Sequence, residues 1–246
     1  MSGAVLILGA TSAIARGTAA ALAQRGHRLY LAGRDVESLR RDAADLAIRH
    51  GVQVNFGIFN AEVHDTHAAF LQRVGDEMGE LEGVVLAFGY LGSQQKAAGD
   101  FDETLTIINR NFVDAVSILN LCADHLEQRG RGFIAGIASV AGDRGRQSNY
   151  TYGAAKGALA LYLQGLRNRL FPAGVHVLTV KPGFVDTAMT WGMPGLFLVA
   201  TPAYVGERIV AAIERGRDVI YVPWFWRYIM LIIRSIPERL FKRLKL

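Results

Sequence analysis

Residues 4–17 read "AVLILGATSAIARG", and this stretch decides the fold. Ala4 to Leu8 form an unbroken apolar run with no polar alternation, as in a strand covered on both faces. Gly9 then allows a turn that a Cβ would obstruct. Thr11 or Ser12 can cap a following helix. A helix that starts directly after such a strand points its free N–H groups and positive dipole end at the turn, where a pyrophosphate can bind. A standard dinucleotide fingerprint carries more glycines. Here Ala13 and Ala15 replace them, so the backbone approaches phosphate less closely. Without a ligand, the same stretch is an ordinary strand-helix turn.

The pattern recurs along the chain. Apolar runs at 28–33, 52–59, 83–89, 132–139, 175–182 and 218–223 alternate with helical patterns near 12–25, 35–50, 64–79, 102–129, 150–171 and 202–215. This alternation predicts one α/β domain over residues 1–223. Its fold would be a Rossmann-like, doubly wound, parallel seven-stranded sheet with helices on both faces. Ligands would sit at the carboxyl ends of the strands. Residues 224–246 read as a basic amphipathic helical tail.

Composition narrows the function. The 246 residues are 51% hydrophobic, enough for a large core. The single cysteine, Cys122, excludes a disulfide within the chain and reads as core filler. The N-terminus has no basic region before its apolar run and reads as a strand, not a signal peptide. No run of about 18 uncharged apolar residues occurs. The formal charge is +5, and the tail accounts for it, with six basic residues against Glu238. Outside the tail the charges balance, which argues against nucleic acid. The histidines are scattered, with no acid or cysteine grouping around them, so no metal site is expected.

The second run ends at Gly33-Arg34-Asp35. An arginine there suits a 2′-phosphate, so NADP is favoured, with NAD the alternative. A surface salt bridge is the plain reading of Arg34, and Asp35 reads as a helix cap. Further on, Tyr152 and Lys156 lie one helical turn apart. An ammonium beside a phenol favours the phenolate, so the pair reads as a general acid tuned toward neutral pH. Taken alone, two solvated residues on an ordinary helix is the plainer reading.

Together, "GATSAIA" (9–15), Asn111 in "NRNFVDA", Ser139 in "GIASVAG", "YGAAK" (152–156) and "KPGFVDT" (181–187) resemble the short-chain dehydrogenase/reductase family over about residues 3–223. The resemblance implies a nicotinamide-dependent ketone reductase. It makes Tyr152 the general acid/base and Lys156 the group that lowers its pKa and holds the nicotinamide ribose. Ser139 would orient the carbonyl, and Asn111 would hold a relay water. Gly9, Thr11, Ser12, Ala13, Ile14, Ala87 and Gly89 would bind the cofactor, with Arg34 at its 2′-phosphate and Asn60 at its adenine. Pro182, Gly183, Val185 and Thr187 would border the nicotinamide. The chain departs from the family at Ala87-Phe88-Gly89, where Asn-Ala-Gly is usual, and at Asn60, where Asp is usual. Homodimers or homotetramers are the family's usual assemblies.

The C-terminal "DVIYVPWFWRYIMLIIRSIPERLFKRLKL" and "AFGYLG" (87–92) are similar to the decaprenylphosphoryl keto-pentose reductase branch. That resemblance implies a lipid-linked keto-sugar substrate for cell-wall glycans and a flavoprotein oxidase partner. Other carbonyls, such as a 3-oxoacyl chain or a keto-sphingoid base, remain alternatives, as does a non-catalytic dinucleotide sensor. Aromatics, apolar bulk and basic flanks fit the tail to a membrane interface, which gives a cytoplasmic protein peripheral at the inner face. Packing against another subunit is the competing reading. Ser235 is expected to cap a second tail helix, in which Leu240, Phe241 and Leu244 share a face. Arg144 and Arg146 would grip a substrate phosphate or lie solvated. Trp191, Met193, Leu196 and Phe197 would form a lid or a loop packed on the tail.

Overall fold

The computed structural model describes residues 3–192 and 197–244. The seven apolar runs form strands β1 (Ala4–Leu8), β2 (Arg28–Gly33), β3 (Val54–Ile58), β4 (Leu81–Leu86), β5 (Gly132–Ile137), β6 (Val175–Pro182) and β7 (Val219–Val222). They make one sheet in the order β3-β2-β1-β4-β5-β6-β7. Every neighbouring pair is parallel. The winding reverses between β1 and β4, and the crevice beyond their carboxyl ends is the natural ligand site of such a sheet.

The helices are α1 (Ala13–Gln24), α2 (Val36–His50), α3 (His67–Met78), α4 (Gln94–Ala97), α5 (Phe101–Ile108), α6 (Asp114–Arg129), α7 (Tyr150–Leu170), α8 (Pro202–Glu214), α9 (Trp226–Ser235) and α10 (Glu238–Phe241). Helices α1, α2 and α8 pack Leu22, Leu39 and Ile209 on one sheet face, against Val5, Ile7 and Leu29. On the other face, α3, α6 and α7 pack Phe70, Ile118 and Leu163 against Leu6, Leu8 and Val84. Cys122 lies in this second core, where burial pushes its thiol up to about 12.

Three local readings change. The helix expected over 102–129 is broken: α5 and α6 are joined by a π turn at Asn109–Val113, in which the Asp114 N–H donates to the Asn109 carbonyl. Such wide turns often mark functional sites. This one turns Asn111 inward, only 1% exposed. Helix α4, for which the sequence carries no apolar period, is capped by Ser93. In the tail, Ser235 does not cap the second helix. It closes α9, donating its hydroxyl to the Leu231 carbonyl, and Pro237 precedes α10 instead.

Candidate active site

The turn after β1 is built as its residues require. Gly9 has a φ of +78°, and a Cβ there would lie 2.7 Å from the Phe88 nitrogen, so only glycine fits without a shift. Ser12 caps α1, accepting from the Ala15 N–H. Asp35 caps α2, accepting from the Ser38 N–H at 3.1 Å.

Two adjoining cavities open beyond the strand ends. One, of about 280 Å³, is lined by Gly9, Arg34 and Asn60. The other, of about 450 Å³, is lined by Ala13, Ile14, Ser139, Tyr152, Lys156, Pro182, Gly183, Val185 and Thr187. Thr11, Ser12, Ala87 and Gly89 belong to both, so the two form one elongated cleft. Asn111 alone among the expected site residues lies behind the wall. Its Nδ2 donates to the Tyr90 and Ile107 carbonyls, and its Oδ1 accepts from the Tyr90 N–H. With both amide donors engaged, its side chain braces the loop after β4. A Cβ on Gly89 would come within 2.7 Å of Asn111 Oδ1 and 3.1 Å of Lys156 Nζ. The missing side chain is therefore what leaves room for both groups beside the loop.

Burial sets the electrostatics. It pushes the Tyr152 phenol up to about 12, with Ser139 beside it acting in the opposite direction. Burial also pushes the Lys156 ammonium down to about 8. In the chain without its cofactor, burial rather than Lys156 sets the phenol. The Lys156 nitrogen is 6.0 Å from the centre of the Tyr152 ring and donates to the Ile137 carbonyl at 3.0 Å. In the chain alone, desolvation outweighs their attraction.

Several contributors carry no local sequence signal. Asn149 precedes α7 without a side-chain cap. Gln94 of α4 supplies it, accepting from the Thr151 N–H at 2.8 Å and donating to the Thr151 hydroxyl. It thereby fixes the turn that carries Tyr152. Glu62 pairs with both Arg34 and Arg110. Asp143, 3% exposed, pairs with Lys181 and accepts from the Tyr221 hydroxyl. That cluster ties the loop after Ser139 to β6 and β7.

Arg144 does not line the cleft. It donates to the carbonyls of Ile233, Arg234 and Ile236, pairs with Glu238 and lies 3.7 Å from the centre of the Phe241 ring. Phe241 is thus turned toward the body, while Leu240 and Leu244 stay exposed. Arg146 is half-buried, and desolvation lowers its pKa. At the cleft rim Met189 lines both cavities and Trp191 is 86% exposed. Phe197 packs on Phe184 and on Trp226 of the tail. Met193 and Leu196 lie outside the described residues.

This arrangement joins a capped turn after β1, a polar wall at Arg34 and Asn60 and a Ser-Tyr-Lys cluster in one crevice. The family model for short chain dehydrogenase matches residues 3–194. The chain belongs to the short-chain dehydrogenase family. It is accordingly a nicotinamide-dependent oxidoreductase. An oxidoreductase of Mycobacterium tuberculosis is 34% identical over 240 residues, covering 98% of this chain and 96% of its own. One of Streptomyces coelicolor is 34% identical over 243 residues, covering 98% and 95%. Among solved structures, a short-chain dehydrogenase from Sphingobium yanoikuyae in complex with NADPH has a TM-score of 0.81 at 25% identity, covering 96% of this chain and 97% of its own. Actinorhodin polyketide ketoreductase with NADPH has a TM-score of 0.82 at 22% identity, covering 91% and 97%, a likeness of fold.

Proposed function

We propose that this short-chain dehydrogenase uses NADPH to reduce a ketone carried on a lipid. The observation that carries the reading is the buried Tyr152 phenol, raised to about 12 beside Ser139 on the cleft wall. Such a phenol is protonated at neutral pH and can give its proton to an alkoxide as one develops.

The residues fit the cofactor. The Gly9 turn and the start of α1 would take the pyrophosphate, and Arg34 would face the 2′-phosphate. Lys156 would bond the nicotinamide ribose, with Pro182, Gly183, Val185 and Thr187 around the ring. When bound, the reduced cofactor supplies the hydride for the carbonyl carbon. Ser139 donates a hydrogen bond to the carbonyl oxygen and orients it. Tyr152 protonates that oxygen. Lys156, cationic below about pH 8, stabilises the phenolate that remains. The NADPH complex of the Sphingobium relative supports the choice of cofactor.

For the substrate, Met189 lines the cleft, and Trp191, Leu198 and Val199, which follow it in the chain, are exposed apolar side chains suited to an acyl or prenyl chain. With the sequence resemblance, this favours a polyprenyl-phosphate keto-pentose, made by a flavoprotein oxidase, over a 3-oxoacyl or keto-sphingoid lipid. The basic, aromatic tail would hold the enzyme against an anionic membrane to meet it. Among the described residues no helix is long and apolar enough to cross one. Exposed Phe101, Val113 and Leu161 on α5, the π turn and α7 suit pairing with a second copy.

The test is NADPH oxidation against these lipid ketones and a water-soluble ketone. The expected result is turnover of the lipid-linked keto-pentose, lost in Tyr152→Phe while NADPH still binds. Turnover that survives in Tyr152→Phe would overturn the assignment.

A further inference from the structure

Over most of the body, arginines are paired. Arg25 holds Glu207 and Glu214, Arg129 and Arg131 hold Glu80, and Arg169 holds Asp124 and Glu127. From α8 onward the pattern stops. Arg208, Arg215, Arg217, Arg227 and Arg234 line one groove of about 790 Å³ between α8, β7 and α9. No acid is among the residues lining it. The neighbouring carboxylates face other cations: Asp218 faces Arg167, Asp143 faces Lys181 and Glu238 faces Arg144. All five arginines are exposed. Among the described residues, none of their guanidinium groups has a carboxylate partner or a hydrogen-bond acceptor. On the groove wall, burial and Asp143 raise the Tyr221 phenol, with Arg234 and Arg227 opposing them.

The same groove is rimmed by apolar rings and chains. Trp224, 64% exposed just before α9, stands in line with Tyr228 and Leu231, 61% exposed, on the stripe of α9 that carries Arg227 and Arg234. The opposite stripe, Trp226 and Met230, is buried against Val140. Unpaired like charges repel one another and gain only when an anionic surface meets them. A second copy seated by two-fold symmetry would set arginine against arginine with no acid between. Interleaved guanidiniums and aromatics instead suit a layer of phosphate headgroups over acyl chains.

We infer that this groove is the membrane-docking surface, binding the phosphates of an anionic bilayer while Trp224, Tyr228 and Leu231 enter the interface. The inference rests on the membrane reading above and deepens it. It assigns headgroup binding to Arg208, Arg215 and Arg217, which lie outside the tail. Because α9 packs on Val140, next to Ser139, docking there brings the catalytic loop close to the bilayer.

The test is co-sedimentation of the full chain with phosphatidylcholine vesicles, with and without a quarter phosphatidylglycerol, at low and high salt. The comparison is Arg208→Ser/Arg215→Ser/Arg217→Ser against Arg40→Ser/Arg41→Ser/Arg49→Ser on α2, with melting curves to verify folding. The wild type and the α2 variant should bind only the anionic vesicles, and less at high salt. The groove variant should lose about a hundredfold in partitioning. If it binds like the wild type, the groove inference fails while the tail reading stands. If the wild type binds no vesicle, or binds neutral ones equally, both fail. Tighter binding to polyglutamate than to vesicles of equal charge would assign the groove to an acidic protein. A wild-type dimer that the groove variant abolishes would assign it to a second copy. Either result overturns the proposal.

Discussion

Two helices in this molecule set cations beside aromatic rings, to opposite ends. In α7, Tyr152 and Lys156 are buried, and desolvation drives both toward their neutral forms. In α9, Arg227 and Arg234 flank Tyr228 and Leu231 in the open, with no acid beside them. The same residue types make a proton donor where water is excluded and an adhesive face where it is not. Burial, more than composition, decides which. Arg144 joins the two regions, reaching from the loop after Ser139 to the last carbonyls of α9. There its charge also complements the negative helix end.

The contrast breaks most visibly at α7. Tyr152→Phe should cut the reduction rate by about a thousandfold or more, while NADPH affinity, read by fluorescence, stays within a few-fold. A rate near the wild type's would remove α7 from the chemistry.

That site was legible because its residues sit at strand ends in fixed order: Gly9 after β1, Arg34 after β2, Ser139 after β5 and Pro182 at the end of β6. The inner strands were legible because both faces are buried, leaving unbroken apolar runs, while the edge strands β3 and β7 are only partly covered. What the chain concealed depends on distant partners. At the π turn, Asn111 hydrogen-bonds the backbone of Tyr90, twenty-one residues away. Gln94 caps a helix more than fifty residues away. Arg144 read as a solvated loop residue or a phosphate ligand because the residues it grips lie about ninety positions later. The groove joins α8, β7 and α9, so no single segment contains it.

Lys156→Met sharpens the comparison by separating stability from catalysis. A lysine held at about 8 when folded and at 10.5 when unfolded costs the fold roughly 3 kcal/mol in its charged form. Below pH 8 both states are protonated and the cost is present in full. Between 8 and 10.5 only the unfolded chain stays charged, so wild-type stability rises with pH. The variant should therefore melt higher at pH 7, by a margin that shrinks toward pH 10, and it should be inactive. Wild-type reduction should itself decline as pH rises through about 8. A variant that melts lower at pH 7 would contradict this.

Asp143→Asn tests the strut between the regions. It leaves Lys181 half-paired in a largely buried site, so a loss of about 3 kcal/mol is expected in denaturant unfolding. Arg34→Ser should weaken NADPH binding by about tenfold and leave NADH unchanged. Arg144→Ala should release α10 for about 1–2 kcal/mol, seen as faster proteolysis after Ser235, with the body's melting nearly unaltered.

The most direct measurement is the phenolate absorbance of the cofactor-free wild type, taken as a pH difference against Tyr152→Phe. If a buried, neutral phenol is the proton donor, the extra phenolate will emerge only as pH approaches about 12. A phenolate already formed near pH 7 would mean that Tyr152 has no proton to give, and the account of the site would fail.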